Sequence, residues 1–242
     1  MDDSLYYKRT IVKERLASAL LGEERSLRVF LPPGYNELVS YPVIYCQDGE
    51  DFFNFGRIVT TMNRLIYDEG VEPAIIVGVD VDKAVRTSEY APEGNRFSAY
   101  CRFFAEELIP FLENKYPIRR EPANRLLAGD SLGGTVSLHL ALDYPSLFRK
   151  VISLSGAFLQ TTQDRIAIET DLSDLQVDMV IGLEETEVRT ERGSFDFLEA
   201  NRTAKKLLVS RSCQVHYEEK PGKHLWGFWQ IELPAMLIRM LR

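Results

Sequence analysis

Gly129-Asp130-Ser131-Leu132-Gly133-Gly134 sets a serine among small residues, after the apolar run Arg125-Leu126-Leu127-Ala128 and before a helical pattern from Thr135 to Asp143. A strand, a tight turn carrying serine, and a helix together lift a hydroxyl clear of a sheet, where it can act as a nucleophile. Such a turn is strained, so its neighbours two positions away must be small, and Gly129 and Gly133 are. The N–H of Leu132 then opens the helix, where backbone donors favour negative charge. It is suited to hold one side of an oxyanion. The other donor is expected in the polar turn Gln47-Asp48-Gly49-Glu50-Asp51, from the N–H of Glu50 or Asp51, with Gly49 allowing close backbone approach.

A serine is a weak nucleophile at neutral pH and needs a neutral imidazole to take its proton. The chain has three histidines. His139 lies eight residues past Ser131, about two turns up the same helix at 1.5 Å per residue, too far to reach back. His216 falls inside a strand pattern. His224 follows Pro221-Gly222-Lys223 after the last strand, on a loop able to arch over the serine, and is taken as the base. The orienting acid should stand between serine and histidine in chain order. Glu185, after Ile181-Gly182, is the first choice; Glu184, Glu187 and Asp196 compete for the role.

These groups must be delivered by strand ends. Val43–Cys46, Ala74–Val79, Val151–Ser155 and Met179–Gly182 read as buried strands, and Val215–Glu218 as an alternating one. Helices are expected at 58–67, 98–115, 195–210 and 225–241, with a loop carrying Arg86, Glu89, Tyr90 and Arg96. The stretch 161–175 has weak periodicity. Tyr7 to Ser18 and Arg25 to Leu31 alternate, joined by a hairpin connection at 20–24. Strands alternating with helices predict an α/β fold: a mostly parallel sheet, helices on both faces, and an antiparallel N-terminal edge. No linker or repeat divides the 242 residues, so one domain over 1–242 is expected.

Hydrophobic residues at 45% allow a sizeable core, and a net charge of −7 argues against a nucleic-acid partner. No apolar run approaches a membrane span, and Met1-Asp2-Asp3-Ser4 lacks the features of a signal peptide. Cys46, Cys101 and Cys213 are scattered without metal spacing and read as reduced thiols, so a cytoplasmic location is expected. A monomer or homodimer acting on a small molecule fits this balance.

Taken together, the motifs resemble the esterase D/enterochelin esterase-like branch of the α/β-hydrolases. The matching stretches are Arg28–Tyr35, Tyr45–Gly49, Glu89–Pro92, Phe104–Pro110, Gly129–Gly134 and His224–Trp229. The resemblance spans nearly the whole chain. It implies an ester hydrolase with Ser131 as nucleophile, His224 as base and no metal or organic cofactor. In that family the acid stands three residues after the glycine ending its strand, which is Glu185 here, where aspartate is more frequent. Three readings follow: a carboxylesterase for small esters, a siderophore trilactone esterase using Arg57, Arg64, Arg86 and Arg96, or a non-catalytic scaffold keeping the fold. Trp226, Phe228 and Trp229 are expected to pack the last helix and border an acyl pocket.

Overall fold

The buried apolar runs assemble side by side in a computed structural model that describes residues 4–241. After a short helix α1 (Ser4–Tyr7) come β1 (Thr10–Ser18), β2 (Glu23–Leu31) and β3 (Val43–Cys46). Helices α2 (Gly49–Asn54) and α3 (Ile58–Glu69) lead to β4 (Ile75–Val79). Next are α4 (Lys83–Tyr90), α5 (Phe97–Arg102) and α6 (Ile109–Lys115), then β5 (Arg125–Asp130), α7 (Leu132–Asp143), β6 (Lys150–Leu154) and α8 (Gln160–Ala167). The chain finishes with β7 (Gln176–Gly182), the small hairpin β8 (Val188–Thr190) and β9 (Gly193–Phe195), α9 (Phe197–Ser210), β10 (Gln214–Lys220) and α10 (Trp226–Leu241).

The main sheet runs β1-β2-β4-β3-β5-β6-β7-β10. Pairings β1·β2 and β2·β4 are antiparallel, and every later pairing is parallel. This is the expected sheet with its antiparallel edge, so the carboxyl ends of β3, β5, β7 and β10 lie along one rim. Two apolar layers cover it. One packs Tyr45, Val77, Leu127 and Val151 against Phe103, Phe104, Val136 and Leu140. The other packs Ile44, Ile76 and Ile152 against Phe52, Met62, Leu233 and Leu237. From Gly133 to Leu142 every residue of α7 is buried, because both its sheet side and its outer side are covered.

Several elements differ from the sequence reading. The polar turn after Cys46 continues at once into α2. The stretch expected as a loop around Arg86 is α4, whose start is capped by the Asp82 carboxylate accepting from the Ala84 N–H at 2.9 Å. The single helix expected over 98–115 winds as a π-helix across Phe103–Leu108, between α5 and α6. Pro110 supplies the reason: it has no N–H to give the carbonyl four residues back. The hairpin β8–β9 and helix α8 sit in stretches too polar to show a period.

Candidate active site

Ser131 stands between β5 and α7 with φ 51° and ψ −122°, a strained conformation for a residue with a side chain. The strain persists because the turn is tied on both sides. Its N–H donates to the Leu154 carbonyl at 2.9 Å, and its carbonyl accepts from Ala157 at 3.0 Å. Gly129 is the strict small residue here: a Cβ on it would lie 2.1 Å from the Gly133 carbonyl carbon. Leu132 is the first residue of α7, so its N–H has no carbonyl four residues back within the helix.

On the neighbouring strand ends, His224 Nδ1 lies 2.6 Å from Glu185 Oε2. Glu185 is fully buried, and its other oxygen accepts from the Ser155 hydroxyl at 2.6 Å and the Gly182 N–H at 2.9 Å. Ser155 in turn accepts from the Trp229 indole N–H at 2.8 Å. Phe197 and Trp229 meet the His224 ring edge-on, with centroids 4.8 and 4.9 Å away. The imidazole is thus held by a buried anion on one nitrogen and by two aromatic walls. Its other nitrogen remains for a proton that another group must give up.

The rival acids go elsewhere. Asp196 caps α9, accepting from the Glu199 N–H at 2.8 Å. Glu184 is exposed and faces Lys223 at 3.6 Å, and Glu187 is exposed. Among the other histidines, His139 is buried against Thr162 at 3.1 Å, and desolvation lowers it to about 4. His216 lies half-exposed near Glu218.

The turn after β3 differs from its sequence reading. Gly49 is required because α2 starts hard against β4; a Cβ there would lie 2.4 Å from the Gly78 carbonyl carbon. The Glu50 side chain pairs with Arg28 at 3.4 Å, which in turn binds Asp80 at 2.9 Å. The Asp51 N–H donates to the Asp48 carbonyl at 2.9 Å. Asp48, with φ 51°, instead binds Arg86 through both carboxylate oxygens at 2.6 and 2.8 Å.

Ser131, Leu132 and His224 border one cleft of about 490 Å³. The serine hydroxyl makes no direct hydrogen bond to His224 here; such bonds tighten when substrate arrives. Ala157, Leu159, Phe195, Phe197, Trp226 and Trp229 supply apolar wall, while Asp51, Lys83, Arg86 and Thr87 supply polar wall. Sequence reasoning missed Ser155, Asp48 and the hairpin β8–β9, which brings Thr190, Glu191 and Arg192 to the rim. The polar turn at 47–51 was the one available signal for Asp48. Among the described residues, no group of three or more His, Cys, Asp or Glu is arranged to hold a metal ion.

A mostly parallel sheet with helices on both faces, and a serine at a strand–helix turn, define the α/β-hydrolase class. The chain belongs to the family described as "Putative esterase", whose model matches residues 18–240. It is 39% identical over 234 residues to "Uncharacterized protein YjcH" of Bacillus subtilis (strain 168), covering 96% of this chain and 98% of that one. It is 27% identical over 169 residues to an acetyl esterase of Caldicellulosiruptor saccharolyticus, covering 59% of this chain and 64% of the relative. A solved ferulic acid esterase shares the fold with a TM-score of 0.83 at 19% identity, over 97% of this chain and 99% of that chain. By family, then, the protein is an esterase-type hydrolase. Among the described residues no helix is long and apolar enough to cross a membrane.

Proposed function

We propose that the protein is a serine carboxylesterase that hydrolyses a small-molecule ester through an acyl-enzyme on Ser131. The observation that carries this reading is the buried Glu185 carboxylate 2.6 Å from His224 Nδ1, beside the cleft that Ser131 borders. A carboxylate at Nδ1 keeps the proton on that nitrogen and leaves Nε2 with its lone pair, the tautomer a serine base needs. Ser131 Oγ attacks the ester carbonyl and its proton passes to Nε2. The Glu185 anion stabilises the imidazolium that forms. The Leu132 N–H, backed by α7, donates to the oxyanion. The imidazolium then protonates the leaving alkoxide, and His224 next takes a proton from water as it attacks the acyl-enzyme. The second oxyanion donor in this reading is the Glu50 N–H, at the start of α2 after β3.

The trilactone reading drew on four arginines for an anionic ligand. Only Arg86 borders the cleft, and Asp48 already neutralises it in a bidentate pair; Arg96 pairs with Glu89 at 3.0 Å. Arg57 and Arg64 flank a separate depression with Tyr6 and Gln230. The cleft therefore favours a neutral or donor-bearing ester over a polyanionic one. The free, buried state of Cys46, Cys101 and Cys213 supports a cytoplasmic setting.

The test is Ser131→Ala. The wild type should hydrolyse short esters and be labelled by a fluorophosphonate, while the variant, folded, does neither. A folded variant that turns over esters at the wild-type rate removes the serine mechanism. A wild type inert to both probes would favour the scaffold reading.

A further inference from the structure

The residue before the nucleophile has no part in the chemistry above. Asp130 is the last residue of β5, 7% exposed, and is one of the residues that border the cleft. Its Oδ1 is buried without a hydrogen-bond partner among the described residues. A buried acceptor with no donor is costly and calls for an explanation.

The cations nearby do not provide one. Arg86 gives Nε and Nη2 to Asp48, and Nη2 also reaches the main-chain carbonyl of Asp130 at 3.4 Å; no Arg86 nitrogen bonds the Asp130 carboxyl. Any residue at 130 would offer that carbonyl, so the Arg86 contact does not call for an aspartate. Lys83 is paired with Asp51 at 2.5 Å, and Arg192 on the hairpin with Glu93 at 2.9 Å. Two cleft carboxylates, Asp130 and Glu191, have no cation bonded directly among the described residues; Glu191 is exposed on the hairpin and meets the Thr87 hydroxyl at 3.4 Å, so Asp130 is the buried one. Burial, then the nearby Asp48 charge, push its carboxyl up to about 7, and Arg86 offsets this only in part. The carboxyl sits one residue from Ser131, so a group that satisfied it would belong to a molecule already placed at the nucleophile.

Resting on the esterase reading of this cleft, we infer that Asp130 recognises a hydrogen-bond donor on the substrate, a hydroxyl or amino group close to the ester carbonyl. The protein then turns over such esters in preference to plain alkyl esters of similar size. An anionic substituent would meet a buried carboxyl whose nearest arginine is already engaged, and is disfavoured. Above pH 7, where the carboxyl is ionised, a hydrogen bond from a substrate donor to it corresponds to about a 10- to 100-fold preference.

The test compares kcat/KM for four esters. Ethyl butyrate carries no donor. 2-Hydroxyethyl butyrate puts a hydroxyl on the leaving alcohol, and ethyl 3-hydroxybutyrate puts one on the acyl chain, so the two show which side faces Asp130. 2-Methoxyethyl butyrate keeps the ether oxygen but lacks the hydrogen. The wild type should prefer at least one hydroxylated ester about tenfold or more over ethyl butyrate, and the methoxy ester should gain no such advantage. In Asp130→Ala the ratio should collapse to within about twofold, with Asp130→Asn in between because its amide oxygen still accepts. Wild-type enzyme that fails to discriminate overturns the inference without any variant, as does a ratio that survives Asp130→Ala. Fluorophosphonate labelling separates the two levels. Labelled, active enzyme without discrimination defeats the Asp130 inference alone; absence of both labelling and turnover defeats the esterase reading and this one with it.

Discussion

Glu185 shows how far one residue's neighbours determine its chemistry. Oε1 is held by two donors, and the Gly182 N–H among them cannot reverse its polarity. In Glu185→Gln the carboxamide oxygen must therefore stay on that side and turn its NH₂ toward His224. The imidazole would then carry its proton on Nε2 and could not accept one from Ser131. The expected loss in kcat is about 10²- to 10⁴-fold with the fold retained, whereas exposed Glu184→Gln should cost less than about threefold. Equal effects of the two substitutions in steady-state assays would refute Glu185 as the acid. His139 gives the complementary case of a histidine that shapes stability. Burial lowers it from 6.5 to about 4. Its contribution is whole above pH 6.5 and is lost as pH falls toward 4, because over that interval the unfolded chain takes up a proton that the native state refuses. The cost by pH 4 is on the order of 3 kcal/mol. Urea unfolding of wild type and His139→Gln at pH 7, 5.5 and 4 should show the variant with a shallower acid decline; parallel declines would rule the histidine out.

At the scale of elements, what the sequence revealed depended on whether one element's own pattern sufficed. The continuous apolar runs of β3 to β7 announce strands covered on both faces, and Gly129 to Gly134 announces the turn between β5 and α7. Ser131 was legible from its glycine-flanked turn between strand and helix, and His224 because histidine is rare in this chain and stands after a strand end. The acid was only ranked, since five carboxylates (Glu184, Glu185, Glu187, Glu191 and Asp196) follow β7 before α9, and which one turns inward depends on tertiary contacts. Ser155 gave no local sign and Asp48 only that of a polar turn, as both act through partners distant in sequence. The polar helices α4 and α8 and the hairpin β8–β9 show no long apolar run, so their form comes from the Asp82 cap in α4 and from docking. Asp196 makes this testable. Its carboxylate caps α9, so Asp196→Ala should cost about 1 kcal/mol, a fall in Tm of roughly 2–4 °C for a chain of this size. Ester turnover should stay within about twofold. A loss of activity as large as that of Glu185→Gln would return Asp196 to the site.

For the whole molecule, the question is whether the two apolar layers respond as one. The site draws on β3, β5, β7, β10 and α10, and both layers rest on the same strands. Three buried cysteines sample this arrangement. Cys46 belongs to the layer built on α2, α3 and α10, while Cys101 and Cys213 belong to the opposite one. Burial pushes all three thiols up, so none is reactive until the chain opens. If residues 1–242 behave as one domain, a thiol reagent should leave the native protein untouched and modify all three cysteines at a single urea midpoint. That midpoint should coincide with the loss of ester hydrolysis and of helical circular dichroism. Mass spectrometry of proteolytic fragments across the urea series assigns each thiol separately. Exposure of Cys46 at a lower midpoint than Cys101 and Cys213 would mean that the α2–α3–α10 layer opens by itself. In that case Trp229 would leave Ser155, and activity would be lost with the first transition while β-structure persisted.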